Sequence, residues 1–323
     1  MSSTLLARLV VATPFAVMTV NTLAQAYPSR PLRLLVPFAP GGGNDFLARL
    51  LGQKLGERLG QQVVADNRPG AGGNLATDFV AKAAPDGYTL LLGFIGPLAI
   101  SPNLEKVPYD SVKDFAAVSL LASSYHVLAI HPSLPARSVK QLIALAKAKP
   151  GQLNYASGGS GTPLHLVPEL FKSATGVNIM HIAYKGSSPA VIAVLSGEAH
   201  MLFGSITSSM PHVRTGKLTA LAVTNPNRSP LAPEVPTLAE SGVRGVEAGS
   251  WYALVAPAAT PKEIIGRLHK EVLAVAGSAD YTQQLQNQAF ELLSSSPEDY
   301  PQFVQGEIAK WGKVIKSAGI KVN

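Results

Sequence analysis

The sequence predicts an α/β fold in two domains, each built on a mostly parallel sheet flanked by helices. Short apolar β-like runs alternate with amphipathic helical stretches, the pattern of parallel sheets covered on both faces. That pattern runs twice: one series closes near Ser119-Leu120-Leu121-Ala122 and a second opens at His126-Val127-Leu128-Ala129-Ile130. Two glycine-rich turns, one in each series, each stand between an apolar run and a helix start.

In chain order, the N-terminus comes first. Arg8 is followed by an apolar stretch from Leu9 to Val20 and then by Ala24-Gln25-Ala26, a small-x-small pattern. This is the pattern of an export signal over residues 1–26, with a mature start at Tyr27, and the apolar stretch is too short for a membrane anchor. The rest of the chain is long enough for two domains. There are no cysteines, so an exported protein of this sequence relies on its core, which a 46% hydrophobic composition permits. The net charge is +7 and spread without runs. It gives weak attraction for small anions. No basic stripe interleaved with aromatics suggests nucleic acid, and no later segment suggests a membrane span.

Strands are expected at Leu32–Pro37, Gln62–Asp66, Thr89–Gly93, Val127–His131, Leu153–Ala156, Ile179–Tyr184, Met201–Gly204, Leu218–Thr224 and Trp251–Val255. Helical spacing joins Leu47, Leu51, Leu55 and Leu59, with Phe46 and Leu50 beside them. It also joins Val139, Leu142, Ile143 and Ala146, and then Leu166, Val167, Leu170 and Phe171. A Pro-rich connection covers Asn225–Pro236. Two C-terminal helical patterns follow, the longer from about Glu298 to Ser317, and are expected to pack back on the first domain. The expected division is therefore a first domain over 27–125 and 251–323 and a second over 126–250. Two crossings, near 122–130 and 245–256, suit hinge closure.

The first turn is Phe38-Ala39-Pro40-Gly41-Gly42-Gly43-Asn44, with Asn44 the expected helix cap. The second is Gly158-Gly159-Ser160-Gly161-Thr162, with Pro163 suited to the first helical position. Helix N-termini carry unpaired N–H groups and partial positive charge, so two such ends suggest two domains gripping one anion. Asp45 and Arg49, four apart, are expected to pair as structural support. Phe46 stands where the dinucleotide fingerprint needs its last glycine, and no Gly-Lys-Ser/Thr follows, which disfavours a nucleotide. A hydrolase elbow centred on Ser160 fails at Thr162, and His165 is expected to be a hydrogen-bonding or packing residue of the ligand site rather than a base. The other histidines are scattered without metal-ligand spacing, so no metal and no cofactor is expected. A third glycine-rich turn spans Asn67–Asn74. Phe94-Ile95, Tyr184-Lys185 and Ser205 also fall at strand ends, where doubly wound sheets bind ligands.

At these residues the chain resembles the Bug family, the substrate-binding proteins of tripartite tricarboxylate transporters. The resemblance rests on Pro37–Asp45 with Ala48-Arg49, Asn67–Asn74, Pro85-Asp86-Gly87-Tyr88-Thr89-Leu90-Leu91, Gly161-Thr162 with His165-Leu166, and Tyr184-Lys185-Gly186. Pro236-Thr237 with Glu240 and Gly242, and Trp251 with Ala256-Pro257, complete it. It implies a two-domain periplasmic binding protein of Venus-flytrap, type II-like form, not an enzyme. A small carboxylate would be held by backbone and hydroxyl groups of the first two turns, partly through waters. The implied partners are membrane permease subunits or, alternatively, a sensor kinase, with the receptor itself a monomer. Phe38, Phe94, Ile95, Ser205 and Ile206 are expected to set ligand choice. His200 stands where the family usually has Asp, and a local surface change is expected there.

Overall fold

The computed structural model describes residues 27–320. The expected export signal lies outside the described residues. The first half runs β1 (Leu32–Val36), α1 (Gly43–Leu59), β2 (Val63–Asn67), α2 (Asn74–Ala81), β3 (Thr89–Phe94) and β4 (Phe115–Ser124). The second runs β5 (His126–Ile130), α3 (Val139–Ala148), β6 (Asn154–Ser157), α4 (Pro163–Thr175), β7 (Met180–Ala183), α5 (Ser187–Leu195), β8 (Met201–Ser205), α6 (Ile206–Arg214) and β9 (Thr219–Val223). The chain then returns through β10 (Ser250–Pro257), α7 (Lys262–Ala276), α8 (Ala279–Gln286), β11 (Phe290–Leu292) and α9 (Tyr300–Ala318).

Two sheets result. The first has strand order β11-β4-β10-β3-β1-β2 and the second β7-β6-β8-β5-β9. Strand β1 is buried on both faces apart from Arg33, which explains its near-continuous apolar sequence. Leu47, Leu50, Leu51, Leu55 and Leu59 form the buried stripe of α1. The C-terminal tail packs on the first sheet as expected. Trp251 of β10 meets Phe303 of α9 edge-on at 5.1 Å and donates to Glu307 through Nε1 at 3.0 Å.

The expectation of mostly parallel sheets needs refinement, because both sheets are mixed. Pairings β1–β2, β1–β3, β6–β7 and β6–β8 are parallel. Strand β10 is antiparallel to β3 and β4, β11 to β4, and β5 to β8 and β9. The cause is the double crossing. Parallel neighbours need a helical crossover, whereas β5 and β10 enter their sheets directly from the other one and so run against their neighbours. Strand β4 leaves through Tyr125 alone, and β10 begins opposite its end, with Ser250 in register with Ser124. Thr224 ties the two crossings together. Its Oγ1 accepts the His126 N–H at 3.0 Å and donates to the Ala248 carbonyl at 2.9 Å.

This topology brings the carboxyl ends of β1, β3 and β4 to face those of β6, β7 and β8. The turns after β1 and β7 touch directly, with the Ala39 N–H donating to the Lys185 carbonyl at 3.0 Å. His200 lies at the opposite end of the second sheet. Its N–H donates to Asn154 Oδ1 at 2.8 Å beside the start of β8, in keeping with a local change away from the turns.

Candidate functional site

After β1, the chain turns through Phe38 to Gly42 into α1. The cap position is Gly42, which has no side chain, and Asn44 stands inside the helix. Asn44 loses the cap role because Asp45 turns back and accepts the Gly41 N–H at 3.0 Å, the reach of an acid three residues past a cap. Arg49 grips Asp45 with Nε at 3.0 Å and Nη2 at 2.9 Å, so the expected ion pair is present. Asn67, from the third glycine-rich turn, donates to Asp45 at 3.0 Å and to the Phe38 carbonyl at 2.9 Å. Burial pushes the Asp45 carboxyl up, but these donors outweigh it and hold the group below the ordinary carboxylate range.

The second turn is braced from behind by stacked rings. Ser157 Oγ accepts the Gly159 N–H at 3.1 Å and is hydrogen-bonded to His181 Nε2 at 2.6 Å. Thr162 Oγ1 donates to the Gly159 carbonyl at 2.7 Å and closes the turn. His165 Nδ1 accepts the Gly161 N–H at 3.4 Å, which leaves that nitrogen engaged by backbone rather than by Ser160. His165 stacks on His181 at 4.3 Å, and His181 on Tyr155 at 5.0 Å. Burial pushes both imidazoles down, His181 to about 4. Burial thus favours the uncharged ring at both positions.

Two more helix starts join these. Helix α5 begins after Gly186 and α6 after Ser205. Ser187 Oγ lies 2.7 Å from Ser208 Oγ and 3.2 Å from Ser205 Oγ, a hydroxyl cluster joining the two starts. One pocket is lined by the first residues of α1, α4, α5 and α6: Gly42, Gly43, Asn44, Thr162, Leu164, Gly186, Ser187 and Ser205. Phe38, Phe94 and Gly158 form further wall, and His126, Ser250 and Tyr252 line it beside the crossings. Phe94 meets Phe38 edge-on at 5.2 Å. Helices α1, α4 and α5 start with no side chain capping them, which leaves first-turn N–H groups such as those of Gly43, Asn44, Leu164 and Ser187 without an intrahelical partner, while Pro163 and Pro189 contribute none. No Lys, Arg, Asp or Glu lines this pocket among the described residues. The free space in the pocket is about 20 Å³, room for a water or two, so the two sheets stand close together around it.

Of the residues singled out in the sequence, Phe38, Gly42, Gly43, Asn44, Phe94, Gly158, Thr162 and Ser205 line the pocket. Gly159, Ser160, Tyr184 and Lys185 line a neighbouring cleft with Gly70–Gly73 and Glu105. Ala39 bonds across to Lys185, Pro40 and Gly41 are exposed, and Ile95 belongs to the core. Gly161 and His165 support the second turn from behind. His126, Leu164, Gly186, Ser187, Ser250 and Tyr252 complete the lining without having been singled out as site residues. A polar residue opening each apolar crossing strand, His126 on β5 and Ser250 on β10, was the signal available.

Burial also holds His126 down at about 4. A histidine whose folded pKa is lowered from an ordinary 6.5 stabilises the fold fully above pH 6.5 and loses that stabilisation as pH falls toward 4. Asp45, held below its ordinary range, is ionised in folded and unfolded chains alike through this window. The urea midpoint of the ligand-free protein is therefore expected to drop between pH 7 and pH 5. An unchanged midpoint contradicts neutral burial of His126 and His181.

Fold and site together define a two-lobed protein with a pocket between facing strand ends. Residues 47–320 match the model of the tripartite tricarboxylate transporter family receptor, and the chain belongs to that family. It is 38% identical to protein BugT of Bordetella pertussis over 301 residues, 93% of this chain and 92% of that one. Among solved structures, Rpa4515 of R. palustris with adipate superposes with a TM-score of 0.88 at 40% identity, covering 91% of this chain and 99% of that one. MatC of Rhodopseudomonas palustris with bound malate gives 0.83 at 32%, covering 90% and 99%. The resemblance to Bug proteins is borne out, and the chain is a solute-binding receptor rather than an enzyme.

Proposed function

We propose that this chain is a periplasmic receptor that captures a small carboxylate between two lobes, residues 27–125 with 251–323 and residues 126–250, and delivers it to a tripartite tricarboxylate transporter permease. The observation that carries this reading is the meeting of four helix N-termini, three of them uncapped, on one buried pocket lined by no formally charged side chain. Each terminus presents about half a positive charge and free N–H donors, the recurring way of holding an anion without a counter-ion. A carboxylate placed there satisfies donors that are otherwise left unpaired on closure. The relatives that bind adipate and malate support an organic acid. The export pattern over residues 1–26 supports the compartment, and no helix among the described residues is long and apolar enough to cross a membrane.

The closed pocket has too little space for an organic acid, so the ligand-free protein must open before it binds. Solution X-ray scattering is expected to give a smaller radius of gyration with a saturating carboxylate than without it. An unchanged radius for a ligand shown by calorimetry to bind contradicts capture by lobe closure.

A further inference from the structure

One lining residue stands apart from the helix ends. His126 opens β5, immediately after the first crossing, and is fully buried. Its main chain is pinned at both ends of the peptide unit. The N–H donates to Thr224 Oγ1 at 3.0 Å, and the carbonyl accepts the Thr224 N–H at 2.9 Å. Its ring is fixed by Nε2, which lies 3.2 Å from Ser250 Oγ on the second crossing strand. Its other ring nitrogen, Nδ1, is buried and has no partner among the described residues. A buried polar atom without a partner is costly, and such atoms in native proteins call for an explanation. Here the ring borders the pocket, and the pocket is where a partner would come from.

A neutral imidazole carries one N–H. The Ser250 hydroxyl serves Nε2 as donor or acceptor, so a carboxylate at Nδ1 draws the ring proton to that nitrogen and leaves Nε2 accepting from Ser250. Tyr252, which also lines the pocket, is turned to Ser124 Oγ at 3.1 Å, and burial keeps its phenol protonated at about 12. His126 is therefore the lining side chain best able to answer an acid group beyond the helix ends. Between the two kinds of polar wall lie Phe38, Phe94 and Leu164, an apolar stretch suited to a hydrocarbon segment.

The geometry points to His126 as a specificity-determining residue whose Nδ1–H receives a second carboxylate of the ligand, so that the pocket selects diacids over monoacids. This rests on the carboxylate reading above and deepens it. One carboxylate takes the helix N-termini, the methylene segment lies along the aromatic wall, and the other carboxylate completes the hinge. Because His126 is tied to both crossings, the second carboxylate fits only when the crossings hold their closed arrangement.

The test uses the chain from Tyr27 to Asn323 and calorimetry with succinate, glutarate and adipate, each against the monoacid of equal length. Wild type is expected to bind at least one diacid about tenfold or more tighter than its monoacid. An asparagine amide reaches about as far as Nδ1, and a glutamine amide about as far as Nε2. His126→Asn is therefore expected to keep most of the preference, and His126→Gln to lower the diacid to the affinity of the monoacid. In His126→Gln the diacid is expected to lose at least about tenfold more affinity than its monoacid. Persistence of the preference in His126→Gln overturns the assignment. So does an equal loss for both acids, which would make the ring a hinge brace only. Wild type binding monoacids and diacids alike also overturns it while leaving the carboxylate reading intact, whereas binding none of the six acids removes both.

Discussion

Gly72→Ala is expected to weaken ligand binding by about tenfold or more, while Gly60→Ala leaves it unchanged. The two glycines share a backbone state, with φ of +62° at Gly72 and +70° at Gly60. An alanine there costs about 1–2 kcal/mol in either place. Their surroundings differ. A Cβ on Gly60 meets nothing within 4 Å, whereas a Cβ on Gly72 overlaps the Ser160 carbonyl oxygen across the cleft. Ser160 belongs to the turn after β6, so the overlap exists only when the two halves close. Both variants should therefore lose similar stability in urea without ligand, and only Gly72→Ala should lose affinity. Equal affinities in the two variants would remove the third glycine-rich turn from the closure mechanism.

Ser187→Asp is expected to abolish carboxylate binding, raising Kd by about a hundredfold or more, while Ser187→Asn changes it far less. Ser187 is the first residue of α5 and lines the pocket against the start of α1, where a Cβ on Gly42 would lie 3.7 Å from the Ser187 Cβ. An aspartate there places a fixed anion among the helix N-termini. It occupies the favourable potential itself and repels an incoming carboxylate, and unit charges at about 4 Å interact by about 4 kcal/mol at the effective dielectric of a protein surface. Asparagine has the same size without the charge. If both variants bind equally well, the anion is not held where the four helices begin.

Most strands and helices were legible because their signals are local, although β4 was marked only by the run Ser119–Ala122 and not as a strand of its full length. Leucines at four-residue spacing give α1, and apolar runs ended by glycine give β1, β3 and β6. The short strand Phe290–Leu292 has no such signal, since its partner β4 lies far away in the chain. The mixed pairing was hidden for the same reason, because direction depends on where the chain crosses between sheets. Within the site, the first and second turns were legible from their glycines, and the Asp45–Arg49 pair from its spacing. The cap at Gly42 was not, because Asp45 and Asn67 decide it together from different elements. His126 and Ser250 were the least legible. They meet 124 residues apart, and only the two crossings bring them to one pocket.

The most direct test of carboxylate capture is thermal unfolding of the chain from Tyr27 to Asn323, first unfolded and refolded to shed any bound solute. Carboxylates are compared with their matched neutral amides. A ligand present at about a hundred times its Kd adds about 2.7 kcal/mol of stability, enough to move the midpoint by several degrees. A rise is expected with one or more carboxylates and none with the corresponding amides, because only the anion engages the converging helix ends. A rise of equal size with acid and amide, or no rise with any acid, would contradict carboxylate capture.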